Sequence, residues 1–277
     1  MRSAALTLTA LVLVSTATTA EAQFGPPPPL EQLTAVPPKP ARMPDGHPNW
    51  TGFWVTPNGM LEVYHGPSGV TGTGPGANGN TRRPPPNSGP ELKSPYKEQY
   101  AETQRKNAAG QLPDMLALCY PPGMPRMMGM IYGMEILQTP KIISITSEWQ
   151  AASRRIWMDV KTHPPAEELD PTYAGHSIGH WEGDTLVVDT VGVRDDVPID
   201  FAMTPHSDKM RIVERFNQPK PGILTDEITI IDPDVTDTPR KQTYLYRHRP
   251  DLRLEEYTCL ENNRNVDPAT GKAAFKQ

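Results

Sequence analysis

Aromatic residues make up only 7% of this 277-residue chain, apolar residues 36%, and cysteine occurs just twice. So low an apolar content excludes a polytopic membrane protein, a coiled coil and a mostly helical bundle. After the first residues no run approaches the roughly 20 apolar positions that a membrane helix needs, so no membrane span is expected. Positive charge is not in excess: 27 Lys and Arg face 32 Asp and Glu, a net charge of −5. That balance argues against nucleic acid as a partner, because such binders work by neutralising phosphates. No Gly-x-Ser-x-Gly elbow, P-loop or dinucleotide fingerprint occurs, which disfavours an α/β-hydrolase, an NTPase and a Rossmann oxidoreductase. The expected partner is a small molecule, as ligand or substrate, and no organic cofactor is implied.

Proline and glycine, in contrast, are plentiful, at 33 and 21 residues. No Gly-X-Y period accompanies them, so collagen is excluded. Residues 1–22 read as an export leader: Arg2 is the basic start, Ala4 to Val14 the short apolar stretch, and Ala20-Glu21-Ala22 the small-x-small cleavage site. The mature protein is therefore expected in the periplasm or outside the cell. Residues 23–49, with runs at Pro26–Pro29 and Pro37-Pro38, read as an extended polyproline-type arm that contributes little core. Residues 50–277 read as one domain, interrupted by a flexible Gly/Pro-rich loop at about 65–90. In an oxidising compartment Cys119 and Cys259 are expected to pair, closing a loop of about 140 residues; a catalytic thiol is the alternative, but no basic cluster adjoins either cysteine.

The secondary-structure signals are mostly those of strands. Trp50–Val55 reads as a first short strand, and Ser94–Asn107 as the one helix, begun at Ser94-Pro95 and ended before Gly110. From Met134 onward, β-favouring runs recur between turn residues: Met134–Gln138, Lys141–Ser147, Arg154–Val160, Gly175–Trp181, Thr185–Val191, Met210–Phe216, Ile223–Ile231, Lys241–His248 and Leu252–Cys259. The clearest hairpin is Trp181-Glu182-Gly183-Asp184-Thr185. The fold expected is mainly β: an antiparallel up-and-down barrel, lipocalin-like, of about eight to nine strands, with one N-terminal helix and long loops.

The run Gly175-His176-Ser177-Ile178-Gly179-His180-Trp181-Glu182-Gly183-Asp184-Thr185-Leu186-Val187-Val188-Asp189-Thr190 resembles the signature of a large family of exported bacterial proteins. Pro44-Asp45-Gly46 with Gly52-Phe53-Trp54 is similar to the opening of that family. Cys119-Tyr120-Pro121-Pro122-Gly123-Met124-Pro125-Arg126 and His163-Pro164 resemble its middle, and Thr204-Pro205-His206-Ser207, Val213–Phe216 and Glu256–Asn262 its later part. The resemblance implies a shared fold and paired cysteines, and no particular reaction. His163, His176, His206 and Glu214 fall on motif positions, whereas His180 sits where relatives often carry a basic residue. The Gly-rich stretch around residue 75 departs from the pattern.

Candidate chemistry rests on these residues. His176-x-x-x-His180 would grip zinc from one face of a helix, but Gly175, Gly179 and the hairpin that follows indicate a strand, on which the two imidazoles lie about 13 Å apart. Both then share a side with Ile178. His163, His176 and His206 can form a three-His zinc or iron site, or serve as acid-base groups. If Met210, Ile212 and Phe216 face inward, Glu214 does too, and its carboxyl must then be paired or have a raised pKa. Tyr244, Tyr246 and His248 share a face that, if it lines the lumen, supplies hydroxyl donors for an oxygenated or aromatic ligand and, if it faces solvent, is plain sheet surface. Glu182 and Asp184 belong to the turn, and Asp189 is expected exposed or paired with an arginine. The five methionines at 124, 127, 128, 130 and 134 either fill core or bind Cu(I) through soft sulfur.

The leading expectation is an exported, cofactor-independent lyase, isomerase or hydrolase acting on a small, partly apolar compound held in a barrel cavity. His176 would be its acid or base, assisted by His206 and Glu214, with His163 and Tyr246 behind them. The alternatives are a non-catalytic carrier of a hydrophobic ligand and a metal-binding protein.

Overall fold

The computed structural model describes residues 41–56, 63–66, 69–73, 91–111 and 114–259, the second and third of these as backbone only. The leader, the arm up to residue 40 and most of the 65–90 loop lie outside the described residues.

Eleven strands form one sheet: β1 (Gly52–Val55), β2 (Val63–Gly66), β3 (Gly69–Thr73), β4 (Met134–Gln138), β5 (Ile142–Ser147), β6 (Ser153–Trp157), β7 (His176–Glu182), β8 (Thr185–Val191), β9 (Arg211–Lys220), β10 (Ile223–Ile231) and β11 (Arg240–His248). The sheet closes because β1 pairs with both β4 and β11, so nine strands form a barrel in the order β1-β4-β5-β6-β7-β8-β9-β10-β11. Closure removes the free edges that would invite aggregation. The β2–β3 hairpin lies on the other half of β11's edge, against Lys241–Thr243. It occupies part of the segment expected to be loop. The helix is α1, Tyr96–Ala108.

One departure from an all-antiparallel barrel follows from parity. Strand directions cannot alternate around a closed ring of nine, so one neighbouring pair must run parallel, and it is β6 and β7. A parallel pair cannot be joined by a tight turn. The chain crosses over through residues 158–175 instead, and this crossover carries His163. The last expected strand, Leu252–Cys259, is also different: it is an extended segment with one bridge, between Trp149 and Tyr257.

Alternation along the strands decides what faces inward. On β9, Ile212, Glu214 and Phe216 are buried while Arg211 and Arg215 are exposed, so Glu214 points into the barrel as its apolar neighbours require. Tyr244 and Tyr246 on β11 are likewise buried. The inside is filled rather than hollow. Trp50, Trp54, Met128, Ile136, Ile145, Val188, Ile212, Phe216 and Leu224 belong to a single buried cluster, and Gly129 sits so close to Tyr244 that a Cβ there would come within 2.6 Å of its hydroxyl. All five methionines between 124 and 134 are buried, and Met124, Met127, Met128 and Met134 lie in that cluster, which is the core-filling arrangement. Burying each such side chain contributes about 1.5 to 3 kcal/mol against the chain entropy.

Cys119 and Cys259 form a disulfide across a sequence separation of 140. No helix among the described residues is long and apolar enough to cross a membrane.

Candidate functional site

The residues singled out from the sequence do not converge. They fall in three places, for a reason that lies in the pleat: neighbouring residues on a strand point to opposite faces.

Inside the barrel, Glu214 receives a two-pronged hydrogen bond from the Arg154 guanidinium, 2.8 Å for Nη1 to Oε1, and both side chains are fully buried. Arg154 also donates from Nε to Ser177 Oγ at 3.1 Å and from Nη2 to Thr190 Oγ1 at 2.9 Å, and those two hydroxyls bond each other at 2.8 Å. Asp226 completes the cluster. Burial, and then the charge of Glu214, push its carboxyl well above the ordinary 3.8, while Arg154 pulls the other way. A neutral Asp226 can donate its proton to Glu214, leaving one negative charge opposite one guanidinium. The Tyr246 hydroxyl donates to the Met128 carbonyl at 2.9 Å and is held well above its usual range by burial, then by Asp226 and Glu214. Glu214 and Tyr246 are thus committed to the packing of a dry interior.

His206 lies elsewhere, at a cavity lined by Leu92, Ile199, Thr204, Asp232 and Arg240 among others. The cavity measures about 10 Å3, space for roughly one water, against the about 300 Å3 or more of a small-molecule site. The His206 ring is 2% exposed, and its Nδ1 donates to the Ser207 carbonyl at 2.8 Å. Ser207 in turn donates from its backbone N and its Oγ to Asp232, both at 2.7 Å. These bonds tie His206 into the connection between β8 and β9.

The third place is the outer face of β7 and β8. Ser177 points inward, so His176, Ile178 and His180 point outward. The Gly183-Asp184 reversal, with Gly183 at φ +62°, sets the register so that His176 faces Val191 and Ile178 faces Asp189. The crossover lays His163 over this face, with the two Nδ1 atoms of His163 and His176 2.8 Å apart in a hydrogen bond and the rings edge to face. His163 Nε2 approaches Asp189 Oδ2 at 3.6 Å. Asp189 is clamped by Arg211, whose Nε and Nη2 donate to its two oxygens at 2.8 and 2.6 Å. Burial, and then charge on His163, lower the pKa of His176 from 6.5.

Asp189 was expected to be exposed or paired with an arginine; that the arginine is Arg211, and that His163 lies beside them, nothing in the spacing announces. His180 stands apart and exposed beside Glu182, which pairs with Arg215, and Asp184 pairs with Arg42. Among the described residues no group of three or more His, Cys, Asp or Glu could hold a metal ion, so His206 does not join His163 and His176 in a ligand set. His176 and His180 sit on a strand, too far apart to share an ion. No protein-family model and no curated protein matches the chain.

The outer-face arrangement can move a proton. With His163 Nε2–H directed at Asp189, its Nδ1 is an acceptor for His176 Nδ1–H. His176 Nε2 is then left with a bare lone pair. Nε2 makes no hydrogen bond to any described residue, and the side chain is partly open to solvent.

Proposed function

We propose that this protein is an exported acid-base enzyme of hydrolase, lyase or isomerase type in which His176 Nε2 takes a proton from, or attacks, a small solute at the outer face of β7 and β8. The observation that carries the reading is the succession Asp189, His163, His176, in which the two imidazoles share a hydrogen bond, Asp189 lies 3.6 Å from His163 Nε2, and the outer ring is partly open. When Nε2 accepts a proton, the Nδ1 proton of His176 can pass to His163 Nδ1, and the resulting imidazolium lies beside Asp189. A carboxylate that orients and then steadies an imidazole is the logic of the serine-hydrolase triad, extended here by one ring. The lowered pKa of His176 keeps the ring unprotonated at neutral pH, so that its Nε2 lone pair is available to a proton.

The site differs from the barrel cavity expected at first, because the inward positions are filled. Substrate would approach from solvent and meet Ile178 and Val191 as apolar neighbours of His176. Export is supported by the leader-like residues 1–22 and by a disulfide that suits an oxidising compartment.

An activated ester such as 4-nitrophenyl acetate tests the imidazole directly. The expected result is saturable hydrolysis that falls about 100-fold or more in His176→Ala, the usual scale of acid-base catalysis, while the fold survives. Hydrolysis by His176→Ala equal to the natural protein removes His176 from any mechanism. For export, the mature protein should begin at Gln23; secretion-competent cells that retain Met1 at its start contradict the leader.

A further inference from the structure

The segment after β11 is held to the barrel in an unusual way. From Leu252 to Tyr257 it has no strand of its own, and Leu252, Arg253, Glu255, Glu256, Tyr257 and Thr258 are all exposed. Among the described residues its attachments are the disulfide to Cys119, a contact of Cys259 Sγ with the Leu116 carbonyl at 3.9 Å, the single bridge between Trp149 and Tyr257, and a cluster of three rings that includes a hydrogen bond between Tyr132 and Tyr257. In that cluster Tyr257 stacks on Trp149 at 5.3 Å and meets Tyr132 at 5.1 Å, while Tyr132 and Trp149 are also 5.1 Å apart. So little buried surface gives the segment low local stability without the covalent tie.

The barrel side of the latch carries backbone strain. Cys119 has φ +64°, and the turn between β5 and β6 places Gln150 and Ala151 at φ +57° and +49°. Each is a left-handed conformation that a residue with a Cβ rarely adopts. Two hydrogen bonds brace the turn against the disulfide segment: Gln150 Nε2 donates to the Cys119 carbonyl at 2.8 Å, and Trp149 Nε1 to the Tyr120 carbonyl at 3.2 Å. The ring beneath Tyr257, the strained turn and the first cysteine are therefore one connected unit. Both cysteines are partly open to solvent.

We infer that the Cys119–Cys259 disulfide is a redox-operated latch: a dithiol reductant that cleaves it releases residues 252–259 and uncovers Trp149 and Tyr132 while the barrel stays folded. In the step the S–S bond takes up two electrons and two protons from the dithiol, giving two cysteine thiols and the reductant's own disulfide, through a mixed disulfide at one sulfur. The inference is independent of the proposed acid-base site.

The test uses the whole mature protein with and without dithiothreitol. Reduction is expected to speed tryptic cleavage after Arg253 by about tenfold or more, as for a segment released into local unfolding. It should change the tryptophan emission in the natural protein and leave Trp149→Phe unchanged. Tyr132, held at about 12 by burial and by its hydrogen bond with Tyr257, should titrate closer to an ordinary tyrosine. The β-sheet circular dichroism should persist, and reoxidation should restore the resistance. Cleavage and emission that do not respond to reduction overturn the latch. So does loss of the β signal on reduction, which would make the disulfide a staple of the whole fold. Reduction of the natural protein decides rather than a cysteine variant, because the thiols then form within an already folded chain.

Discussion

Two polar clusters sit back to back on β7, β8 and β9, separated by one sheet, and they are built on opposite principles. The inner one, Arg154 with Glu214, Asp226, Ser177 and Thr190, has its guanidinium and its glutamate fully paired and out of reach of water. The outer one, Asp189 with His163, His176 and Arg211, is only partly buried and ends on a nitrogen that no described residue occupies. A charge in a dry interior holds structure because moving its proton is costly. An imidazole at a half-wet surface can give and take a proton near neutral pH. Ser177 and His176, adjacent in sequence, belong to different clusters for no other reason than the pleat.

The largest effect should come from breaking the inner pair. Glu214→Ala removes the carboxylate that takes both prongs of the buried Arg154 guanidinium, so unfolding in urea should show a loss of about 3 to 5 kcal/mol. A loss within the range of surface substitutions would mean that the interior admits water and that the two clusters are alike.

The next effect is a pH dependence that belongs to the inner cluster alone. The Asp226 carboxyl is raised in the folded state, so the folded chain binds its proton more tightly than the unfolded chain does. Its contribution to stability is complete below the ordinary 3.8 and is lost as pH rises through the raised folded value. Asp226→Asn, which cannot ionise, should flatten that limb when unfolding free energy is measured from acid to alkaline pH. Parallel curves for the two proteins would show that Asp226 is ionised inside.

The smallest change in stability should accompany the sharpest change in chemistry. Arg211→Ala removes a half-exposed partner of Asp189, at a cost of no more than about 1 kcal/mol. Freed from its clamp, Asp189 no longer orients His163, and kcat/KM for the nitrophenyl ester should drop about tenfold, within the range for groups that position an acid-base residue. In the same series, His163→Ala should raise the His176 pKa toward 6.5, first by opening the ring to water and then by removing the neighbouring charge, read from imidazole signals in NMR. An unmoved His176 titration would dissolve the pairing of the two rings.

Much of this was legible beforehand wherever the signal was local. The runs Met134–Gln138, Thr185–Val191 and Ile223–Ile231 are strands over those residues, because β-branched residues between turn formers leave little choice of structure. Alternation put Glu214 on the same side as Met210, Ile212 and Phe216, which are buried, and of the two expectations for Asp189, exposure or an arginine partner, the second holds. Leu252–Cys259 misled because its composition favours a strand, yet its pairing is a single bridge, from Tyr257 to Trp149. Whether the histidines meet could not be read from their spacing. Only the crossover forced by nine strands brings His163 to His176, and the same geometry leaves His206 in another connection.

Residue order alone therefore determined the strand-rich class, the helix at α1 and the side of β9 that Glu214 shares with its apolar neighbours, since each depends on local periodicity; the compartment favoured paired cysteines over a free thiol without deciding it. Which polar residues meet, and on which side of the barrel wall, was decided by closure: the odd strand count, the parallel pair and the long crossover place side chains remote in sequence within a few ångströms. Hydrogen bonds and ion pairs act only over that distance, so chemistry at the site waits on the three-dimensional arrangement even when every participating residue can be named in advance.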